Sequence, residues 1–135
     1  MYLIDTDILS NLLKRAPSTD LIARLAAVPV VEQSTSSITL GEMIYGARRA
    51  AERHPRLLQV VEQLLTETLR ILPFDTGAAH AYGILRADLE SRGEPMGDAD
   101  LRIAAIALSR DCTLVTGNVH HFARVPSLRI ENWLQ

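Results

Sequence analysis

Short apolar segments alternate along this chain with longer segments in which apolar residues recur every three or four positions. The short segments predict β-strands, and the helical spacing of the longer ones predicts amphipathic α-helices. The predicted strands are residues 2–4, 32–38, 70–74, 113–116 and 128–131. The predicted helices are residues 8–15, 18–28, 39–52, 55–69, 76–91 and 98–110.

This alternation favours a particular architecture. Strands that are separated by helices pair in parallel, and helices then cover both faces of the sheet. We therefore expect an α/β fold, a three-layer α/β/α sandwich with a short-stranded parallel sheet. No repeat, low-complexity tract or Gly/Ser linker divides the 135 residues, so we expect a single domain over residues 1–135.

Composition agrees with a soluble globular protein, since hydrophobic residues make up 47% of the chain and charged residues 22%. The most apolar stretch, residues 21–31, is interrupted by Arg24 and Pro29 and is too short to span a bilayer. The N-terminus has no signal-peptide pattern. A single cysteine, Cys112, excludes an internal disulfide. We therefore expect a cytoplasmic protein with no membrane partner.

Charge alone does not identify a nucleic-acid-binding protein, because the net charge is −2. The cations are nevertheless mostly of one kind, since Lys14 is the only lysine among 14 basic residues. Arginine binds phosphate through a planar fork. A genome-wide bias toward arginine codons explains the same composition, so it decides nothing about function.

Acidic residues stand where predicted strands end. Asp5 and Asp7 follow the first strand, and Glu42 lies in the helix after the second. Asp98 and Asp100 begin the helix that leads into the fourth strand. Ligands of open α/β sheets bind outside the carboxyl ends of the strands, where the strand order reverses.

Helix capping explains each of these acids singly. The pattern Thr39-x-x-Glu42 matches a capping box. Asp98 and Asp100 match an N-cap residue and an acid that complements the helix dipole. Together, however, several carboxylates at one rim repel each other unless a cation holds them, and Mg²⁺ prefers oxygen ligands of this kind. The acids alone therefore indicate a metal-binding rim.

Four segments resemble, in order, the motifs of PIN-domain proteins, in particular the VapC toxins of bacterial toxin–antitoxin pairs. They are residues 2–9 (YLIDTDIL), 37–47 (SITLGEMIYGA), 97–105 (GDADLRIAA) and 114–126 (LVTGNVHHFARVP), followed by 130–133 (IENW). The resemblance spans the whole chain. It implies a PIN-like fold and an Mg²⁺-dependent ribonuclease, with Mn²⁺ as a possible substitute. It also implies a cognate VapB-type antitoxin, and a homodimer or a higher toxin–antitoxin assembly.

The family's metal-binding and catalytic acids fall on Asp5, Glu42 and Asp100. Asp98 is then a neighbouring acid that binds the metal through water or caps the helix. Many members carry a fourth acid after the fourth strand, and this chain has Asn118 at the corresponding place. Thr6 is expected to orient the metal ligands, and Arg48 is a candidate phosphate contact.

Two other functions stay open. A receiver-like signalling domain also uses Mg²⁺ and strand-end acids, but it needs a lysine at a later strand end, and Lys14 lies in the first helix. A non-catalytic PIN-like module would bind RNA or protein without cutting. His120 and His121 lack zinc-motif spacing, so we interpret them as part of a solvated loop that could touch RNA.

Overall fold

A computed structural model describes residues 1–135. Five strands alternate with seven α-helices. The strands are β1 (Tyr2–Ile4), β2 (Gln33–Ser36), β3 (Arg70–Leu72), β4 (Thr113–Val115) and β5 (Ile130–Glu131). The helices are α1 (Thr6–Leu12), α2 (Thr19–Ala27), α3 (Ser37–Arg49), α4 (Leu57–Glu62), α5 (Thr76–Ser91), α6 (Asp98–Ser109) and α7 (Val119–Phe122). A 3₁₀ turn precedes β2 at Val30–Glu32, and a π-helical turn continues α4 over Gln63–Thr68.

All five strands are parallel, and their order in the sheet is β3-β2-β1-β4-β5. The chain therefore starts in the centre, builds one half of the sheet outward and then returns to build the other half. The strand order reverses between β1 and β4, which makes their carboxyl ends the expected ligand-binding position.

The core forms two layers, one on each face of the sheet. Leu3 and Leu114 face α5 and α6, whereas the next residues, Ile4 and Val115, face the side that holds α1 to α4. This alternation is the two-residue period of a β-strand. The three-layer α/β/α sandwich predicted from the sequence is confirmed.

Polar strand β2 is fully buried, which its sequence does not suggest. The hydroxyl groups of Ser34 and Thr35 donate to the carbonyl oxygens of Tyr2 and Ile4 at 2.7 and 2.6 Å. The Gln33 amide donates to two carbonyl oxygens at the end of α2. Buried polar groups are tolerated when they are hydrogen-bonded in this way.

Helix boundaries differ from the predictions where local caps decide them. α1 ends at Leu12 instead of continuing to residue 15. α3 begins at Ser37 because the Ser36 hydroxyl accepts the Thr39 amide at 2.9 Å, so β2 ends and α3 begins earlier than predicted, and α3 ends at Arg49 instead of residue 52. α5 ends as expected before Gly93, whose φ of 70° suits glycine. None of the helices combines the length and apolar character needed to cross a membrane.

Candidate metal centre

An open cleft of about 400 Å³ lies at the carboxyl ends of β1 and β4. No hydrophobic residue lines it. Its lining consists of Asp5, Thr6, Asp7, Glu42, Asp100 and Asn118. We call this feature the acidic cleft. Three elements of the predicted site, the end of β1 and the first halves of α3 and α6, therefore converge at the reversal point of the sheet.

Asp5 is the most firmly held member of the acidic cleft. Its side chain caps α1 by accepting the Thr6 amide at 2.8 Å, and its other oxygen accepts the Thr116 hydroxyl at 2.9 Å. Only 6% of Asp5 is exposed. Asp5 is therefore the N-cap of α1, and the segments that follow β1 and β4 both fix its position.

Glu42 does not belong to a capping box. Because Ser36 is the N-cap of α3, Thr39 occupies the third helical position and Glu42 lies a turn further along. Its Oε1 accepts the Thr6 hydroxyl at 2.8 Å, and the Thr6 and Thr39 hydroxyl oxygens are 3.1 Å apart. Glu42 is thus directed into the acidic cleft by a hydroxyl group on α1.

The two acids of α6 point in different directions. Gly97 is the N-cap, so Asp98 and Asp100 both lie in the first turn, two residues and about 200° apart around the helix axis. Asp100 lines the acidic cleft. Asp98 does not line it, and instead accepts the Tyr82 hydroxyl and pairs with Arg102 at 2.7 Å. The expected position of Asp98 beside the metal ligands is therefore not what the structure shows.

Asp7, a strand-end acid that the family motifs did not assign to the metal site, also lines the acidic cleft. Its Oδ2 accepts the Gly117 amide at 2.9 Å. A Cβ atom at Gly117 would lie 2.8 Å from that oxygen, so glycine is needed for the contact. Asp7 lies in the first turn of α1, just after β1, and Gly117 lies just after β4, which neighbours β1 in the sheet.

Asn118, Arg48 and His121 are the remaining residues for which sequence analysis predicted a place. Asn118 lines the acidic cleft, as expected, and its backbone N–H donates to the Thr116 hydroxyl at 3.0 Å. Arg48 is exposed on α3 and does not line the cleft. His121 is not part of a solvated loop: it lies in α7, and its Nε2 is 3.0 Å from Asp100 Oδ2.

Electrostatics distinguish the two acidic regions. Burial, followed by repulsion from Asp7, raises the pKa of Asp5 to about 6, although hydrogen bonds from Thr6 and Thr116 oppose the shift. The pKa of Asp98 is lowered, chiefly by the hydrogen bond from Tyr82 and then by the charge of Arg102. A carboxylate with a raised pKa and no cationic neighbour is a group that a metal ion would stabilise.

The donor set suits a hard divalent cation. The acidic cleft offers carboxylate and amide oxygens and no cationic side chain. No three His, Cys, Asp or Glu side chains are close enough to form a ready-made cage. Mg²⁺ does not require one, because it is usually held by one or two carboxylates while water fills its other positions. The absence of a cysteine or histidine cluster does not fit structural zinc.

A larger groove of about 550 Å³ lies against α1 and α4. Its charged lining is entirely basic, from Lys14, Arg53 and Arg56 with His54 beside them. Since it contains no carboxylate, size alone does not make it the metal centre.

Comparisons with known proteins agree with this geometry. The family model described as the PIN domain matches residues 2–128. A tRNA(fMet)-specific endonuclease VapC of Salmonella typhimurium is 46% identical over 100 residues, which are 73% of each chain. A ribonuclease VapC2 of Haemophilus influenzae is 35% identical over 133 residues, which are 98% of each chain.

Solved structures show the same likeness over the whole chain. A DNA-bound VapBC from Salmonella typhimurium contains a chain that is 37% identical, with a TM-score of 0.84 and coverage of 98% of this chain and 97% of that one. A VapBC-1 from nontypeable Haemophilus influenzae contains one that is 30% identical, with a TM-score of 0.88 and coverage of 99% and 98%.

Proposed function

This chain belongs to the PIN-domain family, and from that premise we propose that it is a divalent-metal-dependent ribonuclease of the VapC type. It is the toxin of a toxin–antitoxin pair and is neutralised by a VapB-type antitoxin, as the VapBC complexes among its structural relatives suggest. The homodimer implied by the resemblance stays a prediction.

One observation carries the site assignment. The acidic cleft gathers four carboxylates at the point where the strand order reverses, and no cationic side chain lines it. Maintaining that arrangement is costly without a cation, as the raised pKa of Asp5 indicates. We therefore assign Asp5, Glu42 and Asp100 as the residues that hold the metal ion, directly or through its bound water. Asp7 and Asn118 line the same cleft and offer further oxygen ligands or partners for water.

Mg²⁺ is the ion we propose, with Mn²⁺ as a substitute. Such an ion supplies Lewis acidity to the scissile phosphate and lowers the pKa of water. In the hydrolysis, a water oxygen forms a bond to phosphorus, the bond from phosphorus to the leaving ribose oxygen breaks, and that oxygen gains a proton.

The protein's own part in this reaction is positioning. Thr116 and the Thr6 amide fix both oxygens of Asp5, and the Thr6 hydroxyl fixes Glu42. Hydrogen bonds of this kind orient metal ligands and maintain their basicity. Thr6 thus links two ligands that lie on different elements of the fold. Arg48 has no part in this assignment, because it lies outside the acidic cleft.

The alternative functions predict different features. A receiver-like domain needs a lysine near the acids, whereas Lys14 lines the larger groove beside α1 and α4 and not the acidic cleft. A non-catalytic PIN-like module would keep the fold without cutting RNA. Only a cleavage assay separates it from the enzyme.

The test is cleavage of total bacterial RNA and of a tRNA fraction, the latter because of the name of the Salmonella relative. The purified protein is incubated with Mg²⁺, with Mn²⁺, with excess chelator, and with chelator followed by added metal. We expect cleavage with either ion, loss with chelator and recovery on addition. RNA that stays intact throughout, or that is cut equally with chelator, contradicts the proposal.

A further inference from the structure

The geometry points to His121 as a positioning residue that orients Asp100 in the acidic cleft, with Arg124 fixing the histidine in the form that does so. This inference rests on the proposed function, because it assigns a role toward the metal-binding carboxylate. It adds a residue that neither the motif assignment nor the capping pattern singled out.

His121 lies at the end of α7, directly beyond the carboxyl end of β4. Its Nε2 is 3.0 Å from Asp100 Oδ2, and 28% of its side chain is exposed. The ring also packs edge-on against buried Phe122, with centroids 5.5 Å apart. The imidazole is therefore held between the core and Asp100.

The opposite edge of the ring faces Arg124. Arg124 Nη2 is 3.1 Å from His121 Nδ1, and Arg124 Nε donates to the His121 carbonyl oxygen at 3.2 Å. Its Nη1 donates to the carbonyl oxygens of Glu94 and Pro95. Arg124 thus ties α7 to the loop before α6, the helix that carries Asp100.

Donor and acceptor roles follow from this arrangement. A guanidinium group can only donate, so His121 Nδ1 must accept. In a neutral imidazole the other nitrogen then carries the proton, so the N–H group is on Nε2, the nitrogen that lies 3.0 Å from Asp100 Oδ2. Oδ1 is left as the Asp100 oxygen available to a cation.

His121 is not a metal ligand in this conformation, because coordination through Nε2 would move the ring proton to Nδ1. There the proton would oppose the N–H groups of Arg124. His121 therefore acts through Asp100. Each of the three proposed ligands then has its own donor: Thr116 for Asp5, Thr6 for Glu42 and His121 for Asp100.

The decisive experiment measures Mn²⁺ affinity of the metal-free protein by electron paramagnetic resonance titration. Replacing His121→Ala removes the donor, and loss of such partners typically weakens metal binding by about 10–100-fold. His121→Gln, whose amide can still donate, is expected to recover part of the affinity. His120→Ala is the matched control, because His120 is an exposed neighbour in the same helix, and it should bind Mn²⁺ as the wild type does.

Two spectroscopic readouts separate positioning from other roles. Long-range ¹H–¹⁵N spectra of the wild type should show His121 protonated on Nε2, and Arg124→Gln should mix the two tautomers. Electron spin echo spectra of the Mn²⁺ complex should lack ¹⁴N coupling from a coordinated imidazole. RNA cleavage by His121→Ala should fall through kcat more than through KM.

Unchanged Mn²⁺ affinity in His121→Ala overturns the inference, and so does a directly coordinated ¹⁴N that this variant loses. If His121→Ala does not fold, the Mn²⁺ affinities of the wild type, His121→Gln and Arg124→Gln are compared instead, and these show whether His121 positions Asp100. Failure of the wild type to bind Mn²⁺ at all contradicts the proposed function itself, so the two failures are distinguishable.

Discussion

Two acidic regions lie side by side at the start of α6, and they differ in what surrounds their carboxylates. In the acidic cleft, Asp100 shares an open space with Asp5 and Glu42, and no cationic side chain lines it. In the other region, which we call the Asp98 cluster, Asp98 is held by the Tyr82 hydroxyl and the Arg102 guanidinium. Arg102 in turn packs over the rings of Phe74 and Tyr82.

This difference separates a structural acid from a functional one. The Asp98 cluster supplies a hydrogen bond and a positive charge, and the pKa of Asp98 falls accordingly. The acidic cleft supplies burial and like charges, and the pKa of Asp5 rises to about 6. Perturbation by burial and like charges in a cleft is a common mark of functional sites. The protein satisfies Asp98 internally, whereas no cationic side chain lines the acidic cleft, where we propose that an external cation binds.

The largest expected effect is the loss of catalysis on changing Asp100. Asp100→Asn should reduce RNA cleavage by at least ~100-fold, since even partners of metal ligands are worth 10–100-fold. Asp98→Asn should reduce it by less than ~5-fold, because an exposed ion pair contributes little. Initial rates with excess Mg²⁺ measure both. The reverse order would show that the Asp98 cluster is part of the catalytic site.

Asp5 should make the metal-free protein less stable as pH rises. Its pKa is about 6 in the folded state, against a usual value of 3.8, so between these pH values the folded protein retains a proton that the unfolded chain releases. The free energy of unfolding therefore falls as pH rises through this window, and above the window the total loss is about 3 kcal/mol. Asp98 has the opposite effect on the pH dependence of stability. Because folding lowers its pKa, its charge stabilises the fold at pH values above the usual aspartate pKa, and this contribution is lost as pH falls.

Asp5→Asn therefore should stabilise the metal-free protein at pH 8 by up to about 3 kcal/mol and have little effect at pH 4. Urea unfolding in the presence of chelator measures this. Addition of Mg²⁺ should stabilise the wild type and not the variant. Equal stability of both proteins at pH 8 would mean that the acidic cleft carries no unfavourable charge.

A smaller effect is expected from the hydroxyl group that orients Glu42. Thr6→Val keeps the shape of the side chain and removes the donor to Glu42 Oε1. Cleavage should fall by about 10-fold, the lower part of the range for partners of metal ligands. Thr19→Val, at the exposed first turn of α2, is the matched control and should cleave RNA at the wild-type rate. An unaffected rate in Thr6→Val would contradict the role of Thr6.

The smallest effect should follow Arg48→Ala. The side chain is exposed on α3 and lies outside the acidic cleft, so cleavage should stay within about 2-fold of the wild type, as for most surface substitutions. Steady-state rates at low and high ionic strength check this. A large, salt-dependent increase in KM would place RNA against that face of α3.

Sequence patterns predicted the fold well because the core positions follow the strand and helix periods. Leu3 and Ile4 alternate between the two faces of the sheet, as the pattern requires. The burial of Ser34 and Thr35 was not predictable, because their partners are carbonyl groups of β1 that are distant in sequence.

The candidate site was predictable in part. Asp5, Glu42 and Asp100 line the cleft where the motifs indicated, although their metal-binding role stays a prediction. The partners of Asp98 were not predictable, because only the packing of α5 on α6 brings Tyr82 beside it. His121 stood at a strand end, but its contact with Asp100 depends on how α7 turns back toward α6.

A calorimetric titration with Mn²⁺ at pH 7.5 shows whether Asp100 and not Asp98 binds the metal, when it compares the metal-free wild type with Asp98→Asn and Asp100→Asn. We expect equal affinities for wild type and Asp98→Asn, and binding weaker by at least about 10-fold for Asp100→Asn. Loss of binding in Asp98→Asn with full retention in Asp100→Asn would contradict this expectation.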